Sequence, residues 1–62
     1  MKFQKNDHVQ LTRDYNVKKG TIPEGSTGII RRVLSKIFCY EIDFKEPFTG
    51  IVVPESNLKS AQ

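Results

Sequence analysis

The sequence predicts a small all-β domain whose several short strands close, fully or partly, into a barrel. Segments that alternate apolar and polar residues are separated by Gly and Pro at intervals typical of turns, and no stretch has sustained helical periodicity. A length of 62 residues leaves room for one domain, residues 1–62. A barrel protects the sheet edges that so small a protein exposes, and a small two-sheet sandwich is the alternative.

The first strand is predicted from strict alternation over residues 7–12, which places Val9 and Leu11 on one inward face. The next thirteen residues, 13–25, are mostly polar and contain two Gly and one Pro. This composition predicts a long loop rather than a tight turn. Two apolar residues of the loop are expected to attach it to the core, Val17 and Ile22.

A second strand is predicted over residues 28–34, with Ile30 and Val33 pointing inward. These two residues are three apart, so a β-bulge near Arg31-Arg32 is needed to reconcile them with a period of two. After a turn at Ser35-Lys36, a third strand alternates cleanly over 38–44. Its predicted inward residues are Tyr40, Ile42 and Phe44, and its outward ones are Cys39, Glu41 and Asp43.

The last quarter of the chain predicts a turn over 45–50 and a short strand, Ile51 to Val53, that ends at Pro54. Val53 is expected to face the core. One helical turn over 54–58 then returns Leu58 to the core. A final short strand is expected near Lys59.

Composition restricts the class of protein. Apolar residues make up 37% and charged residues 27%, which is typical of a packed globular domain. The single cysteine, Cys39, forms no internal disulfide, and no signal-peptide or membrane-spanning run is recognised, so we expect a cytoplasmic protein with no membrane partner. A net charge of +3 favours anionic partners, although the scattered basic residues also fit an ordinary solvated surface.

Four segments carry a resemblance to known proteins: residues 9–14 (VQLTRD), 25–30 (GSTGII), 40–44 (YEIDF) and 53–58 (VPESNL). Together they resemble a family of short bacterial proteins described as a domain of unknown function. The glycine turn that leads into Ile29-Ile30 is also similar to SH3-like and KOW-type barrels. The resemblance implies an SH3-like five-stranded barrel with a long first loop at 13–25 and a short 3-10 turn near the C-terminus.

Residues that carry catalysis or bind metals are not recognised. His8 and Cys39 are far apart in sequence and have no metal-ligand spacing. Glu41 and Asp43 are expected on one strand face, roughly 7 Å apart, but on a convex surface without a deep cleft. They are better explained as cross-strand partners of Arg31 or Arg32. We therefore predict no catalytic residues, no metal, no cofactor and no enzyme activity.

Protein binding is the favoured function class. Arg13, Tyr15, Lys18 and Lys19 of the long loop are expected to meet Phe48 at one end of the barrel, mixing aromatic and basic groups. Outward apolar residues on strands, Ile29, Phe38 and Val52, add to an interaction surface for another protein or a second copy of the chain. In the structural alternative, Tyr15 and Phe48 only cover the core. The signalling SH3 motif and any Trp are lacking, so proline-rich ligands are not expected.

Nucleic-acid binding is the alternative hypothesis. A KOW-like surface would use the basic side chains Arg13, Lys18, Lys19, Arg31 and Arg32. Its binding would weaken steeply as salt is added. An enzyme is a distant third hypothesis.

Overall fold

The computed structural model describes residues 1–61, and in that range the chain forms seven β-strands and two short 3-10 turns. In chain order these are β1 (His8–Leu11), β2 (Tyr15–Val17), β3 (Gly20–Ile22), β4 (Thr27–Leu34), a 3-10 turn (Ser35–Ile37), β5 (Cys39–Asp43), β6 (Ile51–Pro54), a second 3-10 turn (Glu55–Asn57) and β7 (Leu58–Ser60). The all-β prediction is confirmed, as are the helical turn before Leu58 and the last strand near Lys59.

Five of the strands form one antiparallel sheet in the order β6-β5-β4-β1-β7. β4 is the longest strand and pairs with β1 through its first residues and with β5 from Ile29 onward. Its register shifts between Ile30 and Arg32, so the predicted bulge is confirmed. A bulge bends and twists a strand, which lets a single sheet curl around a core. Within residues 1–61 no pairing joins edge strands β6 and β7, so the strands do not form a closed ring.

The core consists of ten buried apolar side chains: Phe3, Val9, Leu11, Ile22, Ile30, Tyr40, Ile42, Phe44, Val53 and Leu58. All the residues that strand alternation predicted as inward are among them except Val33, which is half-buried and packs against this cluster. Phe3 was not predicted because it stands in a polar stretch without alternation. Its ring packs edge-on against Tyr40 with centroids 5.7 Å apart.

Residues 13–25 do form a long connection between β1 and β4, but it contains the antiparallel hairpin β2-β3, which was not predicted. Val17 pairs with Gly20, which leaves Lys18 and Lys19 as a two-residue turn. Next to the turn, the Thr21 hydroxyl donates to the Asn16 side-chain oxygen at 2.7 Å. Strands of three residues are too short to show a readable alternation. The expected anchoring is confirmed for Ile22, which is buried, and Val17 packs half-buried on the core.

Candidate functional site

The hairpin positions the basic residues that were predicted to bind a partner. Lys18 and Lys19 form its exposed turn, and Arg13 lies exposed two residues before β2. Ile22 of the same hairpin is buried in the core, so the hairpin packs against the sheet while its turn stays exposed.

Arg31 and Arg32 do not join this basic surface. They project from the opposite, outer face of the sheet, where Arg31 Nη1 lies 3.2 Å from Asp43 Oδ2 and Arg32 Nη2 lies 2.8 Å from Glu41 Oε1. Both pairs connect β4 to β5, as the cross-strand interpretation of the two carboxylates predicted. Each arginine is therefore engaged by an acidic neighbour, which reduces its value as a free cation for a partner.

Tyr15 and Phe48 both pack half-buried against the core, so each covers the core as the structural alternative expected. The Tyr15 hydroxyl also donates to the Val52 carbonyl oxygen of edge strand β6 at 2.8 Å. The ring of Phe48 lies beside the hairpin, with its Cζ 3.6 Å from where a Cβ on Gly20 would be. Phe48 thus connects the hairpin to the loop between β5 and β6.

An open groove lies where these two segments meet, and we call it the hairpin groove. It has a volume of about 420 Å³ and is lined by Ile22, Pro23, Gly25, Ser26, Thr27, Phe44, Lys45, Glu46 and Phe48. The sequence analysis expected no deep cleft, and it did not foresee this open groove. Phe44 directly follows β5 and Phe48 lies in the loop between β5 and β6. Ile22 is the last residue of β3, and Pro23 follows it. Sequence reasoning found Phe48 but missed the other lining residues, because they are far apart in the chain.

Hydrogen bonds fix both walls of the hairpin groove. On one side the Asp14 carboxylate accepts the Glu24 N–H at 2.7 Å, and the Gln10 side-chain amide donates to the Gly25 carbonyl at 3.0 Å. On the other side the Asp43 carboxylate accepts the Gly50 N–H at 2.8 Å, which closes the loop between β5 and β6. These bonds hold both walls within the chain, so the groove is preorganised, which lowers the entropic cost of binding.

The outward apolar residues lie on two separate parts of the molecule. Ile29 and Val52 are 44% and 43% exposed on the outer sheet face, opposite Asp43 and Glu41 respectively, so Arg–carboxylate pairs lie among them. Phe38 instead lies at the turn between β4 and β5, where Ile37 beside it is also exposed. Ile37 was missed because it falls between the predicted turn at Ser35-Lys36 and the predicted strand over 38–44. Ile29, Val52 and Phe38 therefore do not form one continuous patch.

A hydrogen-bonded cluster beside that turn holds the N-terminal segment. The Tyr40 hydroxyl accepts the Phe3 N–H at 2.9 Å and donates to the Glu55 carboxylate, which also accepts the Lys2 N–H at 2.8 Å. Burial, and then the bond to Glu55, raise the pKa of Tyr40. The Tyr40 hydroxyl, and then the Lys2 N–H, lower the pKa of the Glu55 carboxyl. The cluster thus anchors residues 2 and 3 onto β5 and the second 3-10 turn.

Residues suited to metal chemistry are dispersed. His8 is exposed on β1, and the Cys39 thiol is half-buried and lies 3.3 Å from the Ile37 carbonyl oxygen. Over the described part of the chain, no three His, Cys, Asp or Glu side chains are grouped so that they could hold a metal ion. In residues 1–61, no helix has the length and apolar character needed to cross a bilayer.

Comparison of the chain with protein-family models, with curated proteins and with solved structures found no match.

Proposed function

We propose that this chain is a non-catalytic protein-binding module that holds an apolar side chain of a partner protein in the hairpin groove. The observation that carries the proposal is the groove itself, an open hollow of about 420 Å³ between Phe44 and Phe48 on one side and Ile22 on the other. A concave, mostly apolar site with a few polar groups at its rim is the usual form of a recognition site.

The chemistry of the groove suggests what it binds. Burial of one Leu- or Phe-sized side chain contributes about 1.5–3 kcal/mol. Lys45 at the rim and the nearby hairpin turn, Lys18-Lys19, favour acidic residues beside that side chain, although Glu46 offsets part of this charge. The ligand is therefore a short extended segment with an apolar anchor and acidic flanks. A contact of this size gives weak, transient binding, on the order of micromolar to millimolar.

We also propose that the hairpin and the curled five-stranded sheet together constitute a partly open SH3-like barrel, as in the bacterial family that the sequence resembles. Three features support this. Five strands form the main sheet, the hairpin occupies the long connection after β1, and a 3-10 turn precedes the last strand.

Selection of peptides from a random displayed library, followed by NMR, tests the proposed groove. Selected peptides are expected to share an apolar anchor with acidic flanks and to shift the backbone amides of residues 22–27 and 44–48. Phe48→Ala should weaken binding roughly tenfold because it removes one apolar wall. Lys45→Glu should weaken it more than Lys5→Glu, which makes the same charge change at an exposed site outside the groove lining.

Thermal unfolding of each variant separates loss of the groove from loss of the fold. Phe48 is half-buried, so its variant is compared only if it unfolds cooperatively. The proposal is refuted if selection yields no enriched peptides, or if enriched peptides shift amides elsewhere and bind both lysine variants equally.

Nucleic-acid binding has less support, because Arg31 and Arg32 are paired with carboxylates and face away from the hairpin. The remaining cations, Arg13, Lys18 and Lys19, would neutralise about three phosphates at most, which predicts a shallow dependence of affinity on salt. Fluorescence anisotropy with short RNA and DNA decides the matter. Tight binding at low ionic strength that is lost in Lys18→Gln/Lys19→Gln would favour nucleic acid over protein as the partner.

A further inference from the structure

The turn between β4 and β5 exposes the two most solvent-accessible large apolar side chains in the described part of the chain. Ile37 is 61% exposed and Phe38 is 67% exposed, compared with 47% for the next, Met1. They adjoin a shallow depression of about 360 Å³ lined by residues 33–37. We call residues 33–38 the β4–β5 tip.

The local fold does not require a phenylalanine at position 38. Phe38 has φ 54° and ψ 42°, a left-handed conformation that is strained for a bulky residue and easier for Gly or Asn. Its backbone makes two hydrogen bonds: its N–H donates to the Ser35 carbonyl and its carbonyl accepts the Glu55 N–H at 2.9 Å. Any residue supplies these groups. The aromatic side chain therefore lies in water at a position where a small polar residue would suit the turn better.

The β4–β5 tip has a shape suited to docking on another protein. The protruding side chains of Ile37 and Phe38 offer an anchor, and the depression beside them is concave and large enough to receive an apolar side chain in return. Such reciprocal fitting of anchor and pocket is characteristic of protein–protein hot spots.

Charge at the β4–β5 tip indicates an acidic partner. Lys36 is exposed within the turn and is the only charged residue in the range 33–38. Glu55 and Lys2 lie nearby, since the Glu55 N–H donates to the Phe38 carbonyl and the Lys2 N–H donates to the Glu55 carboxylate. The two lysines outnumber Glu55, whose carboxylate also accepts the Tyr40 hydroxyl, so the tip has a net positive charge. A two-fold interface uses the same surface on both copies, so two tips with this net positive charge would face each other. An acidic partner segment therefore complements the tip better than a second copy does.

We infer that the β4–β5 tip is a second docking surface, which binds an acidic amphipathic segment of a partner protein through Ile37, Phe38 and the adjoining depression. The inference goes beyond the proposed function, because the two surfaces lie apart. The hairpin groove reaches Thr27 at the start of β4, and the depression begins at Val33 near its end. At about 3.3 Å per residue they are separated by roughly 20 Å along the strand. The chain therefore contacts partner segments at two ends.

NMR titration of the full chain with two designed peptides tests the second surface. Both peptides are amphipathic with the same Leu- and Phe-bearing face, and the polar face carries Glu in one and Lys in the other. The Glu peptide is expected to shift the amides of residues 33–39 and to bind roughly tenfold more tightly than the Lys peptide. Phe38→Asn should weaken the Glu peptide roughly tenfold and leave the urea midpoint of unfolding equal to or above that of the parent.

The matched control is Lys45→Glu, which alters the hairpin groove and should leave binding at the β4–β5 tip unchanged. A Phe38→Asn variant with a clearly lower urea midpoint overturns the inference, because Phe38 would then serve the fold. Shifts confined to residues 22–27 and 44–48 also overturn it, although they leave the proposed function intact. Self-association of the chain that Phe38→Asn abolishes would also overturn the inference. Tighter binding of the chain to anionic lipid vesicles than to the Glu peptide would overturn it as well. Loss of groove binding with intact tip binding refutes only the proposed function.

Discussion

Replacement of Gly28 by alanine tests how closely β4 and β5 pack at the centre of the fold. A Cβ on Gly28 would lie 2.6 Å from Ile42 Cγ2, 2.8 Å from the Asp43 carbonyl oxygen and 3.0 Å from Phe44 Cδ1. Ile42 is fully buried, and the Asp43 oxygen belongs to the paired backbone of β5. None of these atoms is the free end of an exposed side chain, so the added methyl group must displace a strand or its core residues.

Two effects decide the magnitude. At an unstrained site, alanine in place of glycine stabilises a protein by about 0.4–1 kcal/mol, because the unfolded chain loses freedom. Overpacking of a filled core costs about 1–3 kcal/mol, and three simultaneous close contacts favour the upper part of that range. We expect a net loss of about 1–2 kcal/mol from a total of roughly 3–9 kcal/mol for a chain this long. The corresponding fall in Tm is roughly 4–16 °C.

Urea unfolding followed by far-UV circular dichroism measures this loss, and an unchanged m-value shows that the same surface is exposed on unfolding. The matched control is Thr27→Ala, next along β4 and exposed, which should change the free energy of unfolding by no more than about 0.5 kcal/mol. A Gly28→Ala protein with a midpoint equal to or above that of the parent would refute the close approach of the two strands.

Three further outcomes are expected. Tyr40→Phe removes the hydroxyl that accepts the buried Phe3 N–H, and should lower the free energy of unfolding in urea by about 1–3 kcal/mol; an unchanged midpoint would contradict this. The folded-state pKa of Glu55 is lowered from its ordinary value of 4.5, chiefly by the Tyr40 hydroxyl, so its stabilisation is present above that value and is lost as pH falls through the folded pKa. Urea midpoints measured at successively lower pH should therefore fall, and less steeply in Glu55→Gln. A double-mutant cycle of Arg32→Met and Glu41→Gln should give a coupling energy of about 0.2–1 kcal/mol that shrinks with added salt, and a larger, salt-insensitive value would contradict an exposed pair.

The parts of the fold that were predicted correctly depend on local geometry. Alternation identified the inward residues of β1 and β5, because successive side chains of any strand point to opposite faces. The same rule exposed the bulge in β4, since Ile30 and Val33 cannot both face inward without an extra residue. It also placed Glu41 and Asp43 on the outer face, where their pairing with arginines of the neighbouring strand is seen.

The hairpin β2-β3 and the burial of Phe3 were not predictable in this way. Strands of three residues are too short for a period of two to stand out from a polar loop. Phe3 belongs to no strand, and it is buried because the Tyr40 hydroxyl and the Glu55 carboxylate hold the backbone of residues 2 and 3. Those partners come from distant parts of the chain, so no local pattern marks them.

The sequence by itself determined the all-β class and the main inward face of the sheet, because both follow from residue type and strand periodicity. Only the tertiary structure decided where hollows exist and which exposed residues lie together. The hairpin groove combines residues 22–27 with residues 44–48, and its walls meet because Ile22 of the hairpin and Phe44 after β5 pack into the same core. Such a concavity depends on the relative placement of two segments, which no single stretch of sequence encodes.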